Sequence, residues 1–67
     1  MTYEDFKRQN ILIAQKLQAI ADRTVNMAWT GSAHPENLEF VELMRAQDHL
    51  IHAADKLLQT YSDSHND

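Results

Sequence analysis

The chain of 67 residues contains no cysteine, one glycine and one proline. Without cysteine it cannot form disulfides or thiolate metal sites, and nothing in it indicates an oxidising compartment. The single glycine also excludes a glycine-rich phosphate loop, which needs several glycines at fixed spacing. One glycine and one proline leave few positions at which a helix must end. These absences favour a small all-α domain.

Basic residues and long apolar runs are also scarce. The six Lys and Arg residues are outnumbered by ten Asp and Glu residues and are spread along the chain, which argues against nucleic-acid binding. The longest apolar run, ILIA at residues 11–14, is too short for a membrane span or for the apolar part of a signal peptide. We therefore expect a cytoplasmic protein that binds neither nucleic acids nor membranes.

Apolar residues in both halves of the chain recur at a three–four spacing, which is typical of a helix packed along another helix. Thr2 and Asp5 fit a capping box at the start of the first helix. Gly31 stands where a left-handed residue would end that helix, and Pro35 stands where a first helical turn tolerates a missing N–H. The sequence predicts a helix over residues 3–29, a turn over 30–35 and a helix over 36–61.

The predicted fold is an antiparallel, coiled-coil-like hairpin over residues 1–62, followed by a disordered polar tail at 63–67. The seam between the two helices consists of the apolar residues at three–four spacing: Phe6, Ile13, Leu17, Ile20, Met27, Leu43, Leu50, Leu57 and Tyr61. Trp29 is expected to cover the turn end of the hairpin as a lid. Tyr3 and Tyr61 are expected to cover the open end.

The second helix has more apolar surface than one companion helix can cover. A row beside the seam repeats every seven residues, and exposed patches of this kind usually mark an interface. The candidate partner-binding residues are Phe40, Val41, Met44, Ile51 and Leu58, which Ile11, Val25 and Trp29 of the first helix could extend. Either another protein or a second copy, as a four-helix bundle, could complete the hairpin. Which apolar row faces the companion helix stays open.

The segment RAQDHLIHAADK contains the residue types of a metal site. His49 and His52 are one helical turn apart, with Asp48 and Asp55 nearby, and imidazoles at this spacing can share a metal ion. These residues fall on the side of the helix away from both apolar rows, however, and metal ligands must converge in a pocket. We therefore predict a solvated face there, with no catalytic, metal-binding or cofactor-binding residue in the chain.

Residues 17–61 (LQAIADRTVNMAWTGSAHPENLEFVELMRAQDHLIHAADKLLQTY), about two thirds of the chain, resemble a known family. They are similar to the smallest cytoplasmic chaperones of the needle subunit of bacterial type III secretion systems. The resemblance rests on the Leu-Gln-Ala start, a Gly in the turn after a Met, and the closing amphipathic run AQDHLIHAADKLLQTY. The turn differs from the basic turn that is common in the family, because it has Trp29 before Gly31 and Pro35 after it.

The resemblance implies a helical hairpin that acts as a co-chaperone. In that family the hairpin packs on a tetratricopeptide-type partner, which holds the C-terminal helix of the needle subunit and keeps the subunit monomeric before export. Carried over to this sequence, the docking residues would be chiefly Met44, Ile51 and Leu58. One alternative is a homodimeric four-helix bundle that acts as a regulator borne on a phage or plasmid. A weaker alternative is a metal or small-ligand binder that uses His49 and His52.

Overall fold

The structure, a computed structural model, describes residues 1–65. It consists of helix α1, Tyr3–Trp29, and helix α2, Leu38–His65, which pack against each other along their length as a hairpin. No strand occurs within residues 1–65. The prediction of an all-α helical hairpin is therefore confirmed.

Helix α1 begins and ends with the caps that the sequence indicates. At its start the Thr2 hydroxyl accepts a hydrogen bond from the backbone N–H of Asp5 at 3.2 Å, which is one of the two bonds of the predicted capping box. At its end Gly31 has a φ of 79°, so its left-handed conformation is confirmed. The Ser32 N–H donates to the Met27 carbonyl at 2.8 Å, and the Gly31 N–H donates to the Ala28 carbonyl at 3.3 Å. This pair of bonds is a Schellman motif, which satisfies the last carbonyls of the helix.

Helix α2 begins at Leu38 rather than at residue 36, and Pro35 lies in the connecting turn. The later start follows from the side chain of Asn37, whose Oδ1 accepts a hydrogen bond from the Glu39 N–H at 3.0 Å as a helix N-cap. The Nδ2 of Asn37 donates to the Ser32 carbonyl at 2.9 Å. Asn37 thus connects the end of α1 to the start of α2, a role that the sequence reading missed.

Helix α2 also ends later than predicted. It continues through His65, four residues beyond the expected end at 61, so residues 63–65 of the predicted tail are helical. The hydroxyls of Thr60 and Ser64 each donate to the carbonyl four residues earlier at 2.9 Å, so these polar side chains are accommodated within the helix. Residues 66 and 67 of the predicted tail lie outside the described residues.

Three aromatic rings cover the open end of the hairpin. Phe6 stacks on Tyr61 with ring centroids 4.6 Å apart, and Tyr3 packs edge-on against Tyr61 at 6.2 Å. Such arrangements contribute roughly 0.5–1.5 kcal/mol per pair beyond the area that they bury. The expected role of Tyr3 and Tyr61 at this end is confirmed.

The hairpin is a single layer of two helices. It measures 50 × 17 × 12 Å, and its smallest dimension equals the diameter of about one helix with its side chains. Its radius of gyration is 15.1 Å, against about 11 Å for a compact domain of this length. Each helix therefore has only one covered side. Neither helix in the described part of the chain combines the length and the apolar character that a membrane crossing requires.

Candidate functional site

The nine predicted seam residues are all buried or half-buried. Ile20, Met27 and Leu57 are buried, Met27 almost completely. The other six are half-buried: Phe6, Ile13, Leu17, Leu43, Leu50 and Tyr61. Because Leu57 is buried while Leu58 is 53% exposed, the row Leu43, Leu50 and Leu57 is the one that faces α1. This assignment answers the question that the sequence left open.

The five predicted partner-binding residues lie along the neighbouring side of α2. Ile51 is 50% exposed and Leu58 is 53% exposed, whereas Phe40, Val41 and Met44 are half-buried. We call the set Met44, Ile51 and Leu58 the lateral row. Its members follow each seam leucine by one residue, which rotates them by about 100° around α2. They are partly covered by the seam and partly open to solvent.

The hairpin has two broad faces, and rotation from the seam decides which residues lie on each. An antiparallel helix pair is related by an approximate two-fold axis perpendicular to the plane of the hairpin. Equal rotations from the seam therefore lead to the same broad face on both helices. Around each helix, Arg23 and Glu39 lie on the side of the seam opposite to the lateral row. They form an ion pair across that broad face. The Arg23 Nε donates to Glu39 Oε1 at 3.1 Å, and the Arg23 Nη2 donates to the same oxygen. We call this the polar face.

The opposite broad face, which we call the lateral face, has two rows. One is the lateral row of α2; the other is the alanine row of α1, Ala14, Ala21 and Ala28, which likewise follows the seam residues by one position. All three alanines are exposed. The half-buried positions between the rows are also uncharged: Leu17, Thr24, Gln47 and Ala54. With 24% charged residues in the chain, ten such positions would include about two charges if charge were evenly spread. None of these ten is charged, and the charge nearest to them in the row is Lys7, which follows Phe6 by one position and continues the alanine row at the open end.

An apolar depression of about 290 Å³ lies at the turn end of α2, on the outer side of the helix beside the lateral row. Pro35, Phe40, Val41 and Met44 line it, and Arg45 and Asp48 complete its rim. The structure thus brings three of the five predicted partner-binding residues together. The depression is slightly smaller than typical pockets for small molecules, which measure about 300–1,000 Å³. Its size suits one large apolar side chain.

Trp29 does not act as a lid over the hairpin, so that prediction is wrong. Its side chain is 85% exposed. The reason is its position two residues after the buried Met27, a rotation of about 200° that directs it away from α2. Val25, at 55%, is also exposed on the outer side of α1, and Leu38 at the start of α2 is 70% exposed. The helical periodicity that identified the seam could have placed Trp29 outside it.

The histidine-bearing side of α2 is exposed. The His52 Nδ1 donates to the backbone carbonyl of Asp48 at 2.8 Å and lies 3.6 Å from the Asp48 Oδ1. The two side chains are 75% and 73% exposed. Within residues 1–65 no group of three or more His, Asp or Glu side chains converges in a way that could hold a metal ion. The structure therefore offers no geometric support for the alternative of a metal binder.

Comparison of the chain with protein-family models, with curated proteins and with solved structures finds no match in any of the three. The fold and the lateral face are therefore the features of the chain that bear on its function.

Proposed function

We propose that this protein functions by binding another helical protein through its lateral face, as a co-chaperone of the type III secretion needle subunit. The observation that supports the proposal best is the lateral row, in which Ile51 and Leu58 are about half exposed on a face with few charges, in a hairpin only one helix thick. Apolar surface in this position loses its contact with water only when a further element packs on it.

The geometry suits the recognition of a helix in a groove. In that mode an amphipathic helix places residues at positions i, i+3, i+4 and i+7 into an apolar groove on its partner. Ile51 and Leu58 are seven residues apart, and Gln47 and Ala54 fill the intermediate positions on the same face. Tetratricopeptide-type proteins stack helix pairs into a curved surface that presents such grooves. The resemblance described above supplies the identity of this partner in the proposal.

The experiment is a pull-down of tagged protein from its native host, at native expression level, with the bound proteins identified by mass spectrometry. Three baits are compared: the wild type, Ile51→Asp and His49→Asp. We expect the wild type to recover a tetratricopeptide-type chaperone together with a small helical needle subunit. Ile51→Asp should weaken that complex by a hundredfold or more, because it would bury an unpaired charge.

His49→Asp is the matched control, since His49 is exposed on the same helix and points away from the lateral face. It should recover the same proteins as the wild type. Circular dichroism of the purified baits checks that both variants remain helical. Recovery of the complex by folded Ile51→Asp at the wild-type level would show that the lateral row is not the interface. Recovery of neither expected protein by the wild type would contradict the co-chaperone role.

A further inference from the structure

We propose that, in the free protein, a second copy of the chain covers the lateral face and forms a two-fold symmetric four-helix bundle. In this bundle the α1 helix of each copy lies over the α2 helix of the other, and the two turn ends lie together. The inference uses the same face as the proposed function but does not depend on it. A heterologous partner would compete with the second copy for this face.

The exposed area of the hairpin matches what such a dimer needs. The chain exposes 5200 Å², whereas a monomeric protein of its mass exposes about 4,400 Å². The excess is roughly 800 Å², and each partner in a standard protein–protein interface contributes about 800 Å². Covering one broad face would therefore bring the chain to the exposure of an ordinary folded protein.

The lateral face is complementary to itself, as a two-fold symmetric interface requires. A two-fold axis parallel to the long axis of the hairpin sets the alanine row of one copy against the lateral row of the other. Small side chains then face Met44 and Ile51, while Lys7, which continues the alanine row at the open end, lies nearest to Leu58. Both rows repeat every seven residues, so they stay in register along the helices. A head-to-tail pairing would instead set large side chains on large ones and leave alanines facing alanines.

The turn end provides a second, reciprocal contact. Trp29 is the last residue of α1 and is 85% exposed. The apolar depression formed by Pro35, Phe40, Val41 and Met44 lies beside the first turns of α2, at the same end of the hairpin. When α1 of one copy lies over α2 of the other, Trp29 of each copy is level with the depression of its partner. The geometry thus assigns an occupant of suitable size to the depression and a covered position to the most exposed aromatic ring.

The test uses the purified full chain alone, so its outcome is separate from that of the pull-down. Sedimentation equilibrium should give a dimer with a Kd in the micromolar range or tighter, as is usual for interfaces of this area. Trp29 is the only tryptophan, so its fluorescence should shift to shorter wavelengths as the concentration rises through the Kd. Ile51→Asp should weaken the dimer by at least a hundredfold, and His49→Asp should leave it unchanged.

Two further variants test the arrangement. Trp29→Ser should weaken the dimer about thirtyfold, which corresponds to the loss of one buried aromatic anchor of about 2 kcal/mol. A spin label on Glu36→Cys, at an exposed turn position, should show an inter-label distance well below half of the 50 Å length of the hairpin.

Three results would overturn the proposal. One is a chain that stays monomeric at about 100 μM, well above the micromolar limit for such interfaces. Another is a dimer that Ile51→Asp, shown to be folded, leaves intact, since the contact would then lie elsewhere. The third is a label separation comparable to the full length of the hairpin, which would mean that the copies pair head to tail.

Discussion

Replacement of Asn37 tests how strongly the turn depends on one side chain. Its Oδ1 caps α2, and its Nδ2 donates to the Ser32 carbonyl, which directly follows the left-handed Gly31. Loss of an N-cap acceptor costs about 1 kcal/mol, and loss of a partly buried hydrogen bond costs about 1 kcal/mol more. Asn37→Ala should therefore lower the free energy of unfolding by about 2 kcal/mol. For a domain of this size that corresponds to a decrease in Tm of roughly 10 °C.

Asn37→Ser separates the two contributions. A serine hydroxyl can still cap α2, but it is too short to reach the Ser32 carbonyl while it does so. We expect it to lose about half as much stability as Asn37→Ala. Urea and thermal unfolding, followed by circular dichroism, should be compared at one fixed protein concentration, because self-association raises apparent stability. An equal loss of unfolding free energy in Asn37→Ser and Asn37→Ala, or no loss in either variant, would show that the hydrogen bond from Asn37 to Ser32 does not stabilise the turn.

Four other changes have outcomes that the structure specifies. Gly31→Ala should destabilise the hairpin by about 1–2 kcal/mol in urea unfolding, because a left-handed φ of 79° is unfavourable for residues with a Cβ. No neighbouring atom would clash with the added Cβ, so the backbone conformation is the cause. Gly31→Asn should be milder, because asparagine tolerates this region. Met27→Ala removes the most deeply buried side chain and should cost about 2–5 kcal/mol, enough to abolish the cooperative thermal transition. Arg23→Ala should cost less than 1 kcal/mol, and the loss should shrink in high salt, because both partners of the ion pair with Glu39 are 51% exposed. Addition of a chelator should leave helical content unchanged, because the imidazoles of α2 lie on a solvated side; a loss of ellipticity would contradict this.

The sequence predicted the elements whose cause is local or periodic. The start of α1 follows from Thr2, its end follows from Gly31, and the seam follows from the three–four spacing, which applies to any helix packed along another. All of these depend on rules that act within one or two helical turns. The lateral row could be predicted for the same reason, because it is a simple rotation of the seam.

The features that sequence reasoning missed depend on competition between signals or on contacts across the hairpin. Pro35 and Asn37 both indicate a helix start. The helix begins after Asn37 because the side-chain amide of this residue forms hydrogen bonds with two backbone groups. The ion pair between Arg23 and Glu39 joins residues 16 positions apart, so it appears only when the two helices are placed side by side. Trp29 was misplaced because its size suggested burial, whereas its position in the helical repeat required exposure.

The aromatic cluster at the open end has a consequence for how the hairpin folds and opens. Contacts near the turn join residues close in the chain, whereas Tyr3 and Tyr61 are joined across almost the full length of it. Because loop-closure entropy rises with the length of chain enclosed, pairing should spread from the turn, and the rings should meet last. Opening proceeds in the reverse order, so amide protons near residues 3–10 and 55–62 should exchange with solvent before those beside the turn. The strength of the aromatic contacts then sets the rate at which the two helices separate from their free ends.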